Sequence, residues 1–437
     1  MNILVVGSGG REHALVWKIK QSPLVAKIYC APGNAGIASL AELVPIQATN
    51  LDELLNFAKS HAIDLTVVGP EQPLTLGIVD LFEQHGLKIF GPRKAAAELE
   101  GSKMFAKEFM KKYNIPTAEF KTFSVFHRYD AERYINEIPV PIVIKADGLA
   151  GGKGVTVCEM KEQALETIDM LMGKKAFGDA GLNVVIEEFL AGEEVSVFAI
   201  SDGKEFITLV PAQDHKRILD HDKGKNTGGM GAYAPAPVMT EELLEYVKRF
   251  IIRPTLIGMS KEGRTYRGCL FIGLMITETG PKVIEFNCRF GDPETQVVVP
   301  LLGDDLVRVL LEAGAGKLSS TKVKMFPKCG VCVVIASGGY PDEYEKGKPV
   351  MGLESVASDP DIIVFHSGTA TEKDTIVTSG GRVLGVTAFG DNNDLERTVD
   401  RAYRAVEKIT FDGAYYRSDI GKKGIERLKF SQNMESQ

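Results

Sequence analysis

The first hundred residues alternate short apolar runs with helical stretches: ILVVG (3–7), a helix from about Arg11, KIYCAPG (27–33), LDELLNFAKSHA (51–62), LTVVGPE (65–71) and KIFGP (88–92). That alternation dictates a parallel sheet with crossover helices. It cannot extend over the whole chain, because single cores stop growing at roughly 250–300 residues, and 437 residues call for further domains. The composition changes near residue 100. GSKMFAKEFMKKYNIP (101–116) has a serine at the N-cap position, a basic amphipathic body and a proline stop, and reads as a linker helix within 101–120. Residues 121–193 form a small α+β unit with strands PIVIKA, VTVCE and NVVIEEF and a helix near 161–173. Residues 194–324 add EVSVFAI, FITLVP, LFIGLMI and KVIEF, with a helix near 240–259. Residues 325–437 hold CGVCVVIAS, DIIVFHSG and RVLGVTAFG, then a helix around 395–409. The fold class is therefore mixed α/β and α+β, in several domains.

Hydrophobic residues at 44% and charged ones at 25% are ordinary for a soluble globular chain. A net charge of -7 makes no field that gathers nucleic acid or anionic lipid, so neither partner is expected, and the function turns to small molecules. MNILVVGSGG lacks the basic region and cleavage site of a signal peptide, and no run of about 18 apolar residues follows; a cytoplasmic location is expected. Cys329 and Cys332 form a CxxC, but residues three apart on a strand point to opposite faces. No second Cys/His pair completes a zinc shell, so these read as plain buried thiols.

Four stretches carry chemistry. GSGGRE (7–12) follows a strand and opens a helix, an arrangement whose amides can hold a phosphate. It departs from GxGxxG, since Glu12 occupies the third position and would crowd a pyrophosphate; a monophosphate is the better guest, and a plain tight turn is the alternative. KADGLAGGKGV (145–155) sits between two strands, so it is no Walker A loop. Its glycines let backbone amides approach triphosphate oxygens, and Lys145 can reach the same phosphates. EEFLAGEEVSV (187–197) offers backbone groups at Phe189 and Leu190 to an adenine rim, followed by acids for ribose hydroxyls. In VIEFNCRFGDPETQ (283–296), strand alternation puts Glu285, Asn287 and Arg289 on one polar, wet face and Ile284, Phe286 and Cys288 on the core face. A carboxylate and an amide oxygen two residues apart are hard ligands for Mg²⁺, which completes its shell with water and substrate phosphates. Arg289 beside them can neutralise a transferring phosphoryl group or grip a carboxylate.

Together with GPEQPL (69–74), AQDHKR (212–217) and NTGGMGAY (226–233), these motifs resemble the ATP-grasp superfamily and, within it, the phosphoribosylamine–glycine ligase family. The resemblance covers nearly the whole chain and is most specific at RFGDPETQ (289–296). It implies a Rossmann-like N-terminal domain (1–100), an ATP-grasp core (194–324) with a small lid subdomain (121–193), and a C-terminal α+β domain (325–437). It also implies ATP as co-substrate, Mg²⁺ or Mn²⁺, and ligation of glycine to 5-phosphoribosylamine through glycyl phosphate in purine biosynthesis, by a monomer. By the same likeness Glu285 and Asn287 are metal ligands. Lys103, Lys145, Gly151, Gly152 and Lys153 meet the nucleotide phosphates; Glu187, Phe189, Leu190 and Glu194 meet adenine and ribose. Gly9, Gly10, Glu71, Arg217 and Asp292 bind substrate, and Asp214, Lys216 and Arg289 are catalytic. GLMI (273–276) lacks the acid that many ATP-grasp enzymes carry there, which leaves Glu278 or Asp292 as stand-ins. Two other readings stay open. One is an ATP-grasp enzyme acting on bicarbonate or formate, which should lack GDPETQ and DHKR; the other is an NAD-binding oxidoreductase with a dinucleotide footprint at 7–12.

Overall fold

The computed structural model describes residues 1–149, 154–174, 178–320 and 322–435. Its first hundred residues form a five-stranded parallel sheet in the order Glu42–Leu43, Lys27–Pro32, Asn2–Gly7, Leu65–Val68, Ile89–Phe90. Ile3 and Val5 enter one core and Leu4 and Val6 another, so both faces are covered and the strand reads as an unbroken apolar run. The chain first winds to one side of Asn2–Gly7 and then crosses to the other, so strand order reverses between Asn2–Gly7 and Leu65–Val68. At such a switch point the carboxyl ends of the strands leave a crevice. Gly9 and Glu71 sit there, just beyond the two strand ends.

A helix over Lys103–Lys112 leads onward, its start capped by the Ser102 hydroxyl, which accepts from Phe105 N–H at 3.0 Å. The next sheet is antiparallel: Phe120–Ser124, Asn183–Glu188, Ile142–Ala146, Val155–Cys158. Helices Arg128–Glu137 and Lys161–Ile168 close a separate small core around Phe123, Ile135, Ile144 and Ile186. Residues 189–192 connect this sheet to a second antiparallel one, ordered Phe206–Thr208, Glu193–Asp202, Arg267–Thr277, Gly280–Asn287.

The last of these strands departs from simple alternation. Gly273 pairs with Glu285 but Leu274 pairs with Val283, so Ile284 is an extra residue in a bulge. Ile284 is therefore half-buried at a cavity wall and does not pack in the core, while Phe286 and Cys288 do. On the polar face Asn287 is only 8% exposed, whereas Glu285 and Arg289 are half-buried, and all three line the cavity.

The C-terminal sheet runs Gln213–Asp214, Gly231–Ala234, Lys328–Ser337, Arg382–Asp391, Ile362–His366, with Ala414–Tyr415 paired at the end of Lys328–Ser337. Its first two strands come from the 194–324 stretch, so AQDHKR and NTGGMGAY hang from this sheet. Cys329 and Cys332 are free, buried and in different cores, as the strand geometry requires. Among the described residues no helix is long and apolar enough to cross a membrane.

Candidate active site

The three sheets, the crevice and the C-terminal strands meet around one cavity of about 800 Å³. Glu285 and Asn287 project into it from the bulged strand, and the Asn287 amide nitrogen lies 3.3 Å from Glu285 Oε1. Burial pushes the Glu285 carboxyl up, yet Lys216, Lys145 and Lys103, with the Asn287 hydrogen bond, bring it below its ordinary value. It stays ionised. That suits a hard cation, as does the neighbouring amide, once it turns to present its oxygen. Among the described residues no group of three or more His, Cys, Asp or Glu side chains stands ready to cage a metal.

The bulge has a second consequence. Lys145 donates to the freed Ile284 carbonyl at 3.0 Å and lies 3.0 Å from Glu187 Oε1. Glu187 Oε2 in turn is 2.9 Å from Lys107, a buried lysine whose other partner is the Thr117 hydroxyl at 2.7 Å. Burial brings Lys107 down to about 8 against the pull of Glu187. Both Glu187 oxygens thus lie within 3.0 Å of a lysine, an arrangement that fixes Lys145. Lys103 reaches the Gly148 carbonyl at 3.3 Å, and Asp147 accepts from Met104 N–H at 2.7 Å, which ties the Gly-rich hairpin to the helix start. Gly151, Gly152 and Lys153 lie outside the described residues. Phe189, 43% exposed, and Leu190 line the cavity at the connection between the two antiparallel sheets.

Opposite them, Lys216 sits 2.7 Å from Glu194 Oε2, so Glu194 has a partner already. Burial raises the Asp214 carboxyl, with Lys216 opposing and Glu294, Glu194 and Glu285 adding to the rise. Arg289 is gripped by two acids: Nε donates to Glu71 at 3.2 Å and Nη2 lies 3.0 Å from Glu100. Asp292 lines the cavity but accepts from Gln296 at 2.8 Å and faces Arg382 at 3.4 Å. Glu278 is exposed on the turn between strands and lines no part of the cavity, so it cannot stand in as a ligand; Glu294, inside GDPETQ and hydrogen-bonded by Ser196 at 3.0 Å, is the acid nearer the chemistry.

A second, smaller cavity of about 340 Å³ adjoins the first, with Asp292 and Arg382 in both walls. Its lining includes Ser8, Gly9, Ser367, Thr369 and Ser379. The Gly9 amide is already bonded to Glu12 Oε2 at 2.6 Å, so an anion here would draw on the hydroxyls and Arg382. Gly10 is buried and lines neither cavity; a side chain there would meet Gln296 and Ser367 at 2.5 Å. Arg217 lines the main cavity and donates to the Gly224 carbonyl at 2.7 Å. Glu100, Lys107 and Arg382 carry no local sequence signal, since each becomes notable only through partners far along the chain.

Three family models match the chain: phosphoribosylglycinamide synthetase N domain at residues 1–100, its ATP-grasp (A) domain at 101–295, and its C domain at 330–423. The phosphoribosylamine–glycine ligase of Caldanaerobacter subterraneus subsp. tengcongensis is 50% identical over 96% of this chain and 99% of its own length. That of Pseudomonas aeruginosa is 50% identical over 98% and 99%. Among solved structures, phosphoribosylamine–glycine ligase from Thermotoga maritima superposes with a TM-score of 0.82 at 36% identity, covering 96% of this chain and 100% of that one. A Hydrogenobacter thermophilus biotin carboxylase domain, solved with MgADP and bicarbonate, shares the fold alone, at TM-score 0.72 and 18% identity over 95% and 91%.

Proposed function

The chain belongs to the phosphoribosylglycinamide synthetase family, and from that premise we infer how its cavity divides the work. The reaction is the ATP-dependent ligation of glycine to 5-phosphoribosylamine, giving glycinamide ribonucleotide, ADP and phosphate in purine biosynthesis. Glycine carboxylate oxygen bonds to the γ-phosphorus as ADP leaves. The amine then bonds to the acyl carbon of glycyl phosphate, phosphate departs, and the amine loses a proton.

Phosphoryl transfer of this kind asks a protein for position and charge more than for a nucleophile. Lys103 and Lys145 supply cations to the nucleotide phosphates, Lys145 being fixed by Glu187 and the Ile284 carbonyl. Phe189 and Leu190 form the adenine rim. Glu285 and Asn287 would hold a divalent cation, Mg²⁺ or Mn²⁺, which would supply positive charge against the triphosphate. Arg289 meets the glycine carboxylate and the transferring phosphoryl group. Asp214, made more basic by burial, takes the proton released by the amine, with Lys216 and Arg217 at the acceptor end. The sugar phosphate belongs in the second cavity, among its hydroxyls and Arg382. Six free, buried cysteines suit a reducing compartment, which supports a cytoplasmic location; the chain is read as a monomer acting on small molecules.

One observation carries this reading: Glu285, kept ionised, faces Lys103, Lys145 and Lys216 in a single cavity. Glycine labelled with heavy oxygen in its carboxylate tests the chemistry. One labelled oxygen should appear in the released phosphate, whereas unlabelled phosphate would rule out an acyl phosphate. The bicarbonate-using relatives share only the fold, and GDPETQ and DHKR are both present here.

A further inference from the structure

We propose that Glu100 is a positioning residue for the phosphoryl-transfer step, its one carboxylate setting both the end of the metal-bearing strand and the aim of Arg289. The inference rests on the reading that Arg289 meets the reacting groups.

Glu100 lies in the last turn of the helix Lys94–Gly101 and is 7% exposed. A carboxylate is buried only where partners replace its water. Here Oε1 lies 3.0 Å from Arg289 Nη2, while Oε2 accepts from Cys288 N–H at 2.7 Å and from the Cys288 thiol at 2.9 Å. The last ladder pair of the strand is Phe271 with Asn287. The next amide, that of Cys288, leaves the sheet for Glu100, and the chain turns at that point into GDPET.

Arg289 has five N–H donors in a fixed fork. Glu71 takes the one on Nε, Glu100 pairs with Nη2, and Asn287 Oδ1 is 3.4 Å from Nη2 as well. Nη1 has only a 3.4 Å contact with the Phe290 carbonyl, which makes it the nitrogen with donors to spare for an anion in the cavity. Two carboxylates from the N-terminal region therefore select one rotamer of a long, flexible side chain, so that little ordering remains when substrate arrives. Neither acid needs to touch substrate to do this.

The test is a cycle of Glu100→Gln, Arg289→Lys and the double variant, with Glu100→Asp alongside. Gln keeps an acceptor and the shape but not the charge; Asp keeps the charge but retracts it. Each single variant at Glu100 should lower kcat by about tenfold or more with KM for ATP unchanged, and ADP binding by the same preparations reports that they are folded. The double variant should lose less than the product of the two single losses, because with the guanidinium gone only the strand end is left for Glu100 to set. Wild-type kcat in both Glu100 variants, or losses that multiply in the double variant, would overturn the proposal. Full turnover in Arg289→Lys would instead strike the reading of Arg289 beneath it.

Discussion

Glu285 lies half-buried among three lysines whose field outweighs the cost of its burial, and Asn287 stands against it. Replacing Glu285 by Gln keeps the shape and removes the charge. Turnover should then fall by about a hundredfold, the several kcal/mol that a metal-held phosphoryl oxygen is worth, and excess Mg²⁺ should restore only part of it; unchanged steady-state rates would exclude Glu285 as a ligand. Period-two alternation made Glu285, Asn287 and Arg289 legible as a polar set. It could not show that Ile284 bulges out and turns its carbonyl to Lys145, because a bulge is set by the neighbouring strand. Glu100 and Lys107 were equally silent: an acid in KAAAELEG or a lysine in KMFAKEF reads as solvated until the rest of the chain covers it.

The hairpin Arg217–Leu219 with Lys223–Asn226 carries Arg217 to the cavity, and it is held by a segment two hundred residues away in sequence. Arg417, fully buried, pairs with Asp419 at 2.8 Å and Asp222 at 3.0 Å and donates to the Arg217 carbonyl at 3.0 Å. Tyr415 donates to the Ile218 carbonyl at 2.9 Å, Ser418 N–H to Asp220 at 2.9 Å, and Lys423 pairs with Asp222. His221 and Asp222 at the turn sit at positive φ, 58° and 52°, which costs non-glycine residues energy and marks a turn held from outside. Arg417→Ala leaves two carboxylates without their shared partner. Denaturant titration should show a loss of about 3–5 kcal/mol, and turnover should fall while ADP affinity stays near wild type, since the bonds of Tyr415, Arg417 and Ser418 run to the 217–222 hairpin and not to Lys103, Lys145, Phe189 or Leu190. Weakened ADP binding at full stability would contradict that assignment. Most strands and about half of the helices were legible from cap, period and proline signals, but Lys94–Gly101, Arg128–Glu137 and Lys422–Glu435 were not; nor was the membership of Gln213–Asp214 and Gly231–Ala234 in the C-terminal sheet, because their partner strand begins about a hundred residues later.

At the scale of the molecule, the cavity exists only because distant parts converge. Helices of the N-terminal region bring Glu71 and Glu100, the small sheet Lys145, the central sheet Glu285, and the C-terminal region Arg382. The joints between them are buried and specific. Lys18 bonds to the Leu302 carbonyl at 2.5 Å, and His366 N–H donates to His13 Nδ1 at 2.8 Å; burial and the nearby His366 hold His13 down to about 3, so it stays a neutral acceptor. Motif order along the sequence named the chemistry, whereas the packing that makes one cavity from it needed the fold. The central claim is that a divalent cation seated by Glu285 and Asn287 brings the triphosphate to the glycine. The most direct measurement is the anomalous scattering of Mn²⁺ in crystals grown with a non-hydrolysable ATP analogue. The account predicts a peak at roughly 2 Å from a Glu285 oxygen and from Asn287 Oδ1, with the amide turned away from Arg289; a peak and triphosphate seated elsewhere, with Asn287 still facing Arg289, would contradict it.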